Sequence, residues 1–204
     1  FMHRDIIDVF VTINSFVKEY NASVEIQDVI AFRDNVIHKT NSIRDMIYNE
    51  HGERASFYIA FAIYSYCDEM VNKVSLDISN NISGLHLLQE EVYQRNDGGD
   101  YFFEITDSVL ENPVFPKIVA QVLYLILSLG FKGRYLGVDA EIDRYKNKLN
   151  FILPKYEVSE FDSPGLDGIN IKLIKTNKSK FLKTLFRVSM CFTALAYFSI
   201  WFVR

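Results

Sequence analysis

No acidic residue occurs after Asp167, and the 16 residues from Val188 to Val203 carry no charge at all. Between these two marks stand Lys172, Lys175, Lys178, Lys180, Lys183 and Arg187, and Arg204 closes the sequence. The first 167 residues hold 15 basic and 26 acidic side chains, a formal charge of −11, whereas the last 37 sum to +7. The chain is therefore read as an acidic body joined to a basic, then apolar, tail.

A helix of the uncharged length spans about 24 Å, short of the roughly 30 Å hydrocarbon core of a bilayer. Arg187 and Arg204 can close that gap by laying their stems along apolar surface and placing their guanidinium groups at the two headgroup layers. Tyr197 and Trp201 suit an interface. The alternatives are a buried C-terminal helix or a segment lying on the bilayer, but the run is apolar all round and a surface-lying helix needs a polar face. The tail is thus expected to be a single-pass anchor. Lys175, Lys178, Lys180, Lys183 and Arg187 flank it on one side and Arg204 alone on the other, which places the body on the cytoplasmic side. The expected division is a helical domain over 1–167, a basic juxtamembrane segment over 168–187 and a transmembrane anchor over 188–203. Basic residues directly before an apolar run favour anionic lipid over nucleic acid.

Within the body, apolar residues recur at three and four from Asp5 to Tyr20 and again from Ile26 to about Asn49, with Gly52 as a C-cap. The segment 54–74 is apolar on nearly every side, yet Asp68, Glu69 and Lys73 make a membrane span costly, so it reads as the central buried helix of a bundle. A polar stretch, 75–84, is the candidate sub-domain boundary. Leu85–Tyr93 reads as a short helix, and Asp100 as the cap of the next one. A buried helix follows Pro116 and ends at Gly130, and a last helix runs from Val138 to about Leu153. The fold class is all-α, about seven helices, plus the anchor. At 49% hydrophobic, with 9 Gly, 4 Pro and 2 Cys, the composition excludes disordered, collagen-like and disulfide-scaffold classes.

Chemistry-bearing motifs are sparse. His3, His38, His51 and His86 are scattered without metal-ligand spacing, and there is no phosphate-binding Gly-rich loop. Gly133 and Gly137 form a G-x-x-x-G, but Arg134 lies inside it. No cofactor and no metal are expected. Asp68-Glu69 is the one pair of interest. Adjacent helical residues point about 100° apart, so they cannot face each other as a dyad. One reading has one of them facing solvent while the other pairs with an Arg or caps a neighbouring helix. A sharper reading makes them a charged contact for a partner, and a third an acid and a base in a small enzyme. A groove-binding adaptor is a further alternative.

The stretch IAFAIYSYCDEMVNK, residues 59–73, resembles the helix ending in an Asp-Glu pair of the DotU/TssL (IcmH/DotU) family of bacterial secretion proteins. GGDYFFEITDSVLENP and VLYLILSLGFKGRY are similar to that family's Gly-Gly-x-x-Phe-Phe and Leu-Gly-Phe-x-Gly-x-Tyr segments. The sequence lacks the Trp that members often carry near the position of His86, and no peptidoglycan-binding extension is expected of its tail. The resemblance implies a non-enzymatic scaffold of a type VI secretion apparatus, or of the related type IVB one, whose body is a hook of two small three-helix bundles. It implies an inner-membrane location, an IcmF/TssM-type partner and cytoplasmic baseplate components. Pairing of two copies through the anchor is a separate alternative that the sequence leaves open. Carried onto this chain, Gly98, Gly99, Gly130 and Gly133 are expected to end helices and turn the chain. Phe102, Phe103, Phe131 and Tyr135 are expected in the core around those turns, and Asp68 and Glu69 occupy the acidic pair.

Overall fold

The structure, a computed structural model, describes residues 2–77 and 85–154. Among them are seven α-helices and no strand: α1 Arg4–Glu19, α2 Ile26–His51, α3 Glu53–Asp77, α4 Leu88–Tyr93, α5 Gly98–Glu111, α6 Lys117–Ser128 and α7 Asp139–Ile152, with a 3-10 turn at Gly133–Tyr135 between the last two. The basic cluster, Arg204 and the 188–203 run lie outside the described residues.

α3 is the axis of the body. Tyr58, Phe61, Ile63, Tyr66 and Cys67 point to different sides of it, and each is at most 6% exposed. A helix buried on every side must be surrounded, and α3 packs against α1, α2, α4, α5 and α6. Ala55, Ala60 and Ala62, at most 2% exposed, let neighbours approach its backbone. Each large side chain so buried contributes about 1.5–3 kcal/mol. α1, α2 and α3 pack pairwise with one another, and so do α5, α6 and α7. A single apolar core nevertheless runs from Ile6 in α1 to Leu149 in α7.

Local signals set the ends of these helices. Glu25 and Asp28 form a capping box, with the Glu25 N–H donating to Asp28 at 2.9 Å. Gly52 (φ +85°) is the single residue between α2 and α3, and its N–H donates to the Tyr48 carbonyl at 2.9 Å. α6 follows Pro116 and closes in a Schellman motif: the Gly130 N–H donates to Leu127 O at 3.3 Å and the Phe131 N–H to Ile126 O at 3.3 Å. Gly130 sits at φ +102°, which only glycine adopts without strain.

Three boundaries differ from the sequence expectation. α4 begins at Leu88, not Leu85, because a carboxylate from α3 marks its first turn, as described below. α5 begins at Gly98, so Asp100 lies inside the first turn and Asp97 holds the cap position, its carboxylate engaged with Arg95. Gly98 and Gly99 therefore start a helix rather than end one. The polar stretch at 75–84 is helical as far as Asp77, and 78–84 falls outside the described residues.

A Cβ built at Gly130 meets nothing within 4 Å, so the cost of substitution there is backbone strain alone. Gly130→Val should destabilise the body by roughly 1–2 kcal/mol, lowering the melting temperature by roughly 2–8 °C in a thermal scan. An unchanged midpoint would contradict the left-handed assignment.

Candidate functional site

The motif residues converge on one turn of α3. Asp68 and Glu69 point to different neighbours, as the 100° step of a helix requires. Asp68 turns towards α4, accepting the Leu88 N–H on Oδ1 at 2.8 Å and the Gln89 N–H on Oδ2 at 3.1 Å. Glu69 turns towards the loop after α6, accepting the Lys132 N–H at 2.8 Å and the Gly133 N–H at 2.7 Å, one on each oxygen. Neither residue faces solvent as a free charge, which corrects the simpler reading in which only one of them caps. Both cap. The first N–H groups of a helix have no partner within it, and a carboxylate is the side chain best suited to receive them.

Burial governs the chemistry of the pair. Asp68 is 6% exposed, and desolvation pushes its carboxyl up to about 6, against the downward pull of the Leu88 and Gln89 N–H groups and of Arg33. Glu69 is half-buried and is likewise raised, burial outweighing the N–H groups of Gly133 and Lys132. Arg33 does not bond Asp68 directly. Its guanidinium is paired with Glu91 on α4 at 2.8 Å.

The glycines explain how the loop reaches Glu69. A Cβ at Gly133 (φ +50°) would lie 2.7 Å from the Gly99 carbonyl oxygen, and one at Gly99 would lie 3.3 Å from the Gly133 Cα. The start of α5 and the 3-10 turn thus touch backbone to backbone. A Cβ at Gly98 would lie 2.0 Å from Gln89 Oε1, so the buried Gln89 side chain occupies the space that Gly98 leaves.

Aromatic rings seal the same junction. Phe102 and Phe131 are 4.6 Å apart, Phe103 and Tyr135 4.7 Å, and Phe103 and Tyr145 5.0 Å. Phe102, Phe103 and Phe131 are buried and Tyr135 is half-buried, with the Arg134 guanidinium 5.0 Å from the Tyr135 ring centre. The sequence gives no sign that Gln89 and Arg33 belong to this junction, and marks Arg134 only as the charge inside the G-x-x-x-G. Nothing in their spacing distinguishes them from ordinary surface polar residues.

With all four carboxylate oxygens engaged by main chain, the site fastens segments to α3. The shifted carboxyl that an enzyme would need is present in Asp68, but the pair lines neither of two surface grooves, one of about 460 Å³ between α2 and α4 and one of about 550 Å³ between α5 and α7. Among the described residues no cluster of three or more His, Cys, Asp or Glu side chains could hold a metal. No described helix is long and apolar enough to cross a membrane.

A helical body whose acidic pair, double glycine and Gly-Phe-x-Gly-x-Tyr loop all meet at one junction invites comparison with known folds. The family model described as "Type VI secretion system protein DotU" matches residues 5–203. The chain belongs to the DotU family. The structure of DotU from Francisella novicida is similar at 29% identity and TM-score 0.65, covering 72% of this chain and 94% of that one. The crystal structure of SciP/TssL from the type VI system of enteroaggregative Escherichia coli 042 shares the fold at 18% identity and TM-score 0.55, over 80% of this chain and 96% of that one. No curated protein sequence matches the chain. The family belongs to the type VI apparatus, so of the two secretion systems suggested by the sequence the match is to type VI.

Two substitutions test this DotU junction. Glu69→Ala removes two charge-assisted bonds and should cost about 1.5–3 kcal/mol by denaturant unfolding, with faster amide exchange at Lys132 and Gly133. Protection left intact would show that the loop is held by other contacts. Asp68 is near 3.8 unfolded and about 6 folded, so its contribution to stability is complete below pH about 4 and is lost as pH rises through about 6. Between pH 4 and 7 the wild type should therefore lose on the order of 2–3 kcal/mol relative to Asp68→Asn. Parallel pH profiles would contradict the burial argument.

Proposed function

We propose that the chain is a non-enzymatic, membrane-anchored scaffold of a type VI secretion system, holding an IcmF/TssM-type partner and baseplate components at the bacterial inner membrane. The observation that carries this reading is the engagement of both motif carboxylates by backbone N–H groups: the most distinctive polar residues of the chain are used to fasten its own segments. A body fixed in this way presents a constant surface, and a scaffold needs that. The family match and the two similar structures support the same assignment.

Anchoring is the second element of the proposal. The uncharged run 188–203, preceded by six basic residues and followed by Arg204, fits a single-pass helix with the body on the cytoplasmic side. Such a tether would keep the helical body at the membrane, and an anchor of this kind can also pair with a second copy.

Alkaline extraction of membranes from cells making the full chain tests the proposal. The intact protein should stay in the pellet, and a chain ending at Arg187 should be released to the supernatant. Release of the intact protein would overturn the anchor.

A further inference from the structure

The outer face of α5 carries Asp100, Glu104, Asp107 and Glu111, spaced by four, three and four residues. At 100° per residue these four fall within about 60° of one another, a stripe along the whole helix. No cation lies within ion-pair distance of any of them among the described residues. Asp107 accepts the Tyr145 hydroxyl at 3.1 Å. Like charges at this spacing repel, and Glu111 also sits in the last turn, where the helix dipole disfavours an anion. Neither α5 nor α7 has a basic residue in its last turn.

Beside the stripe runs an apolar groove. α7 lies along α5 in the same direction: Tyr145 meets Phe103 and Asp107 at mid-helix, and the last turns of both helices line one groove. There a groove of about 550 Å³ is walled by Leu110, Phe151 and Ile152 together with Asp107 and Glu111. Phe151 is 82% exposed. The one cation on the wall, Lys148, stands 5.6 Å from the Tyr145 ring centre.

We propose that this α5–α7 face docks a cationic amphipathic helix of another protein. Its apolar side would cover Leu110, Phe151 and Ile152, and its Lys or Arg residues would neutralise Glu104, Asp107 and Glu111 together with the two helix C-termini. Charge complementarity selects this occupant. The same face of a second copy would bring the anionic stripe against itself, and an anionic bilayer or a nucleic acid would be repelled. The net charge of −8 over residues 1–154 adds long-range attraction for a basic segment. The inference rests on the scaffold reading and names the chemistry of one partner.

The probe is a fluorescent peptide of about five helical turns, Leu on one face and Lys on the other, added to the full chain in neutral phosphatidylcholine nanodiscs at about 0.15 M salt. Binding is read by anisotropy against empty discs. The triple variant Glu104→Gln/Asp107→Asn/Glu111→Gln and the single variant Phe151→Ser should each weaken binding at least about tenfold. A control triple variant on other helices, Glu19→Gln/Asp34→Asn/Asp45→Asn, should change it less than about twofold, and a peptide with Glu in place of Lys should not bind. All of these side chains except Asp107 are exposed, and a matching melting curve for each variant excludes unfolding. Equal losses in both triple variants, or no binding by the wild type, would overturn the proposal. Retention of the intact chain in alkali-washed membranes is independent of this result, so the groove can fail while the scaffold reading stands.

Discussion

Backbone N–H groups at the start of a helix must find acceptors, and in this chain two such starts find them on neighbouring residues of one buried helix. Asp68 receives the first turn of α4 and Glu69 receives the turn that opens the 3-10 segment. Because the two side chains diverge by about 100°, a single stretch of α3 reaches two segments lying on different sides of it. α4 has six residues, far below the length at which a helix is stable alone, and depends on this capping and on its packing against α3.

That arrangement gives the glycines and rings their roles. The loop after α6 can lie against Glu69 only if it passes close to the start of α5, and Gly99 and Gly133 permit the passage by having no side chain there. Phe102, Phe103 and Phe131 then close the remaining volume. Gly130 is different in kind, since space around it is open and only its dihedral angle requires glycine. The four glycines of the motif thus answer two separate demands, close approach and backbone handedness.

The helical class and most helix boundaries were legible because burial imposes a three-and-four periodicity on α1, α2 and α7, and an all-round apolar pattern on α3 and α6. Gly52 and Gly130 were legible as stops because a positive φ at a helix end selects glycine. The start of α4 was not, since the residue that defines it lies 20 positions earlier in the chain. Gly98 and Gly99 were read as terminators for the same reason: a glycine pair signals freedom or proximity, and only the fold distinguishes them. The pairing of both carboxylates with main chain was likewise hidden, because sequence shows a helix's own face but not what stands opposite.

The single-residue joint at Gly52 and the unbroken course of α3 give the junction a strict count. α2 packs side by side with α3, and 14 residues separate Glu53 from Asp68. One residue gained or lost in that interval would swing the acidic pair by about 100° and displace it by about 1.5 Å. The carboxylates would then address the wrong neighbours. The junction therefore tolerates exchange of one side chain for another in this stretch more readily than any change in its length.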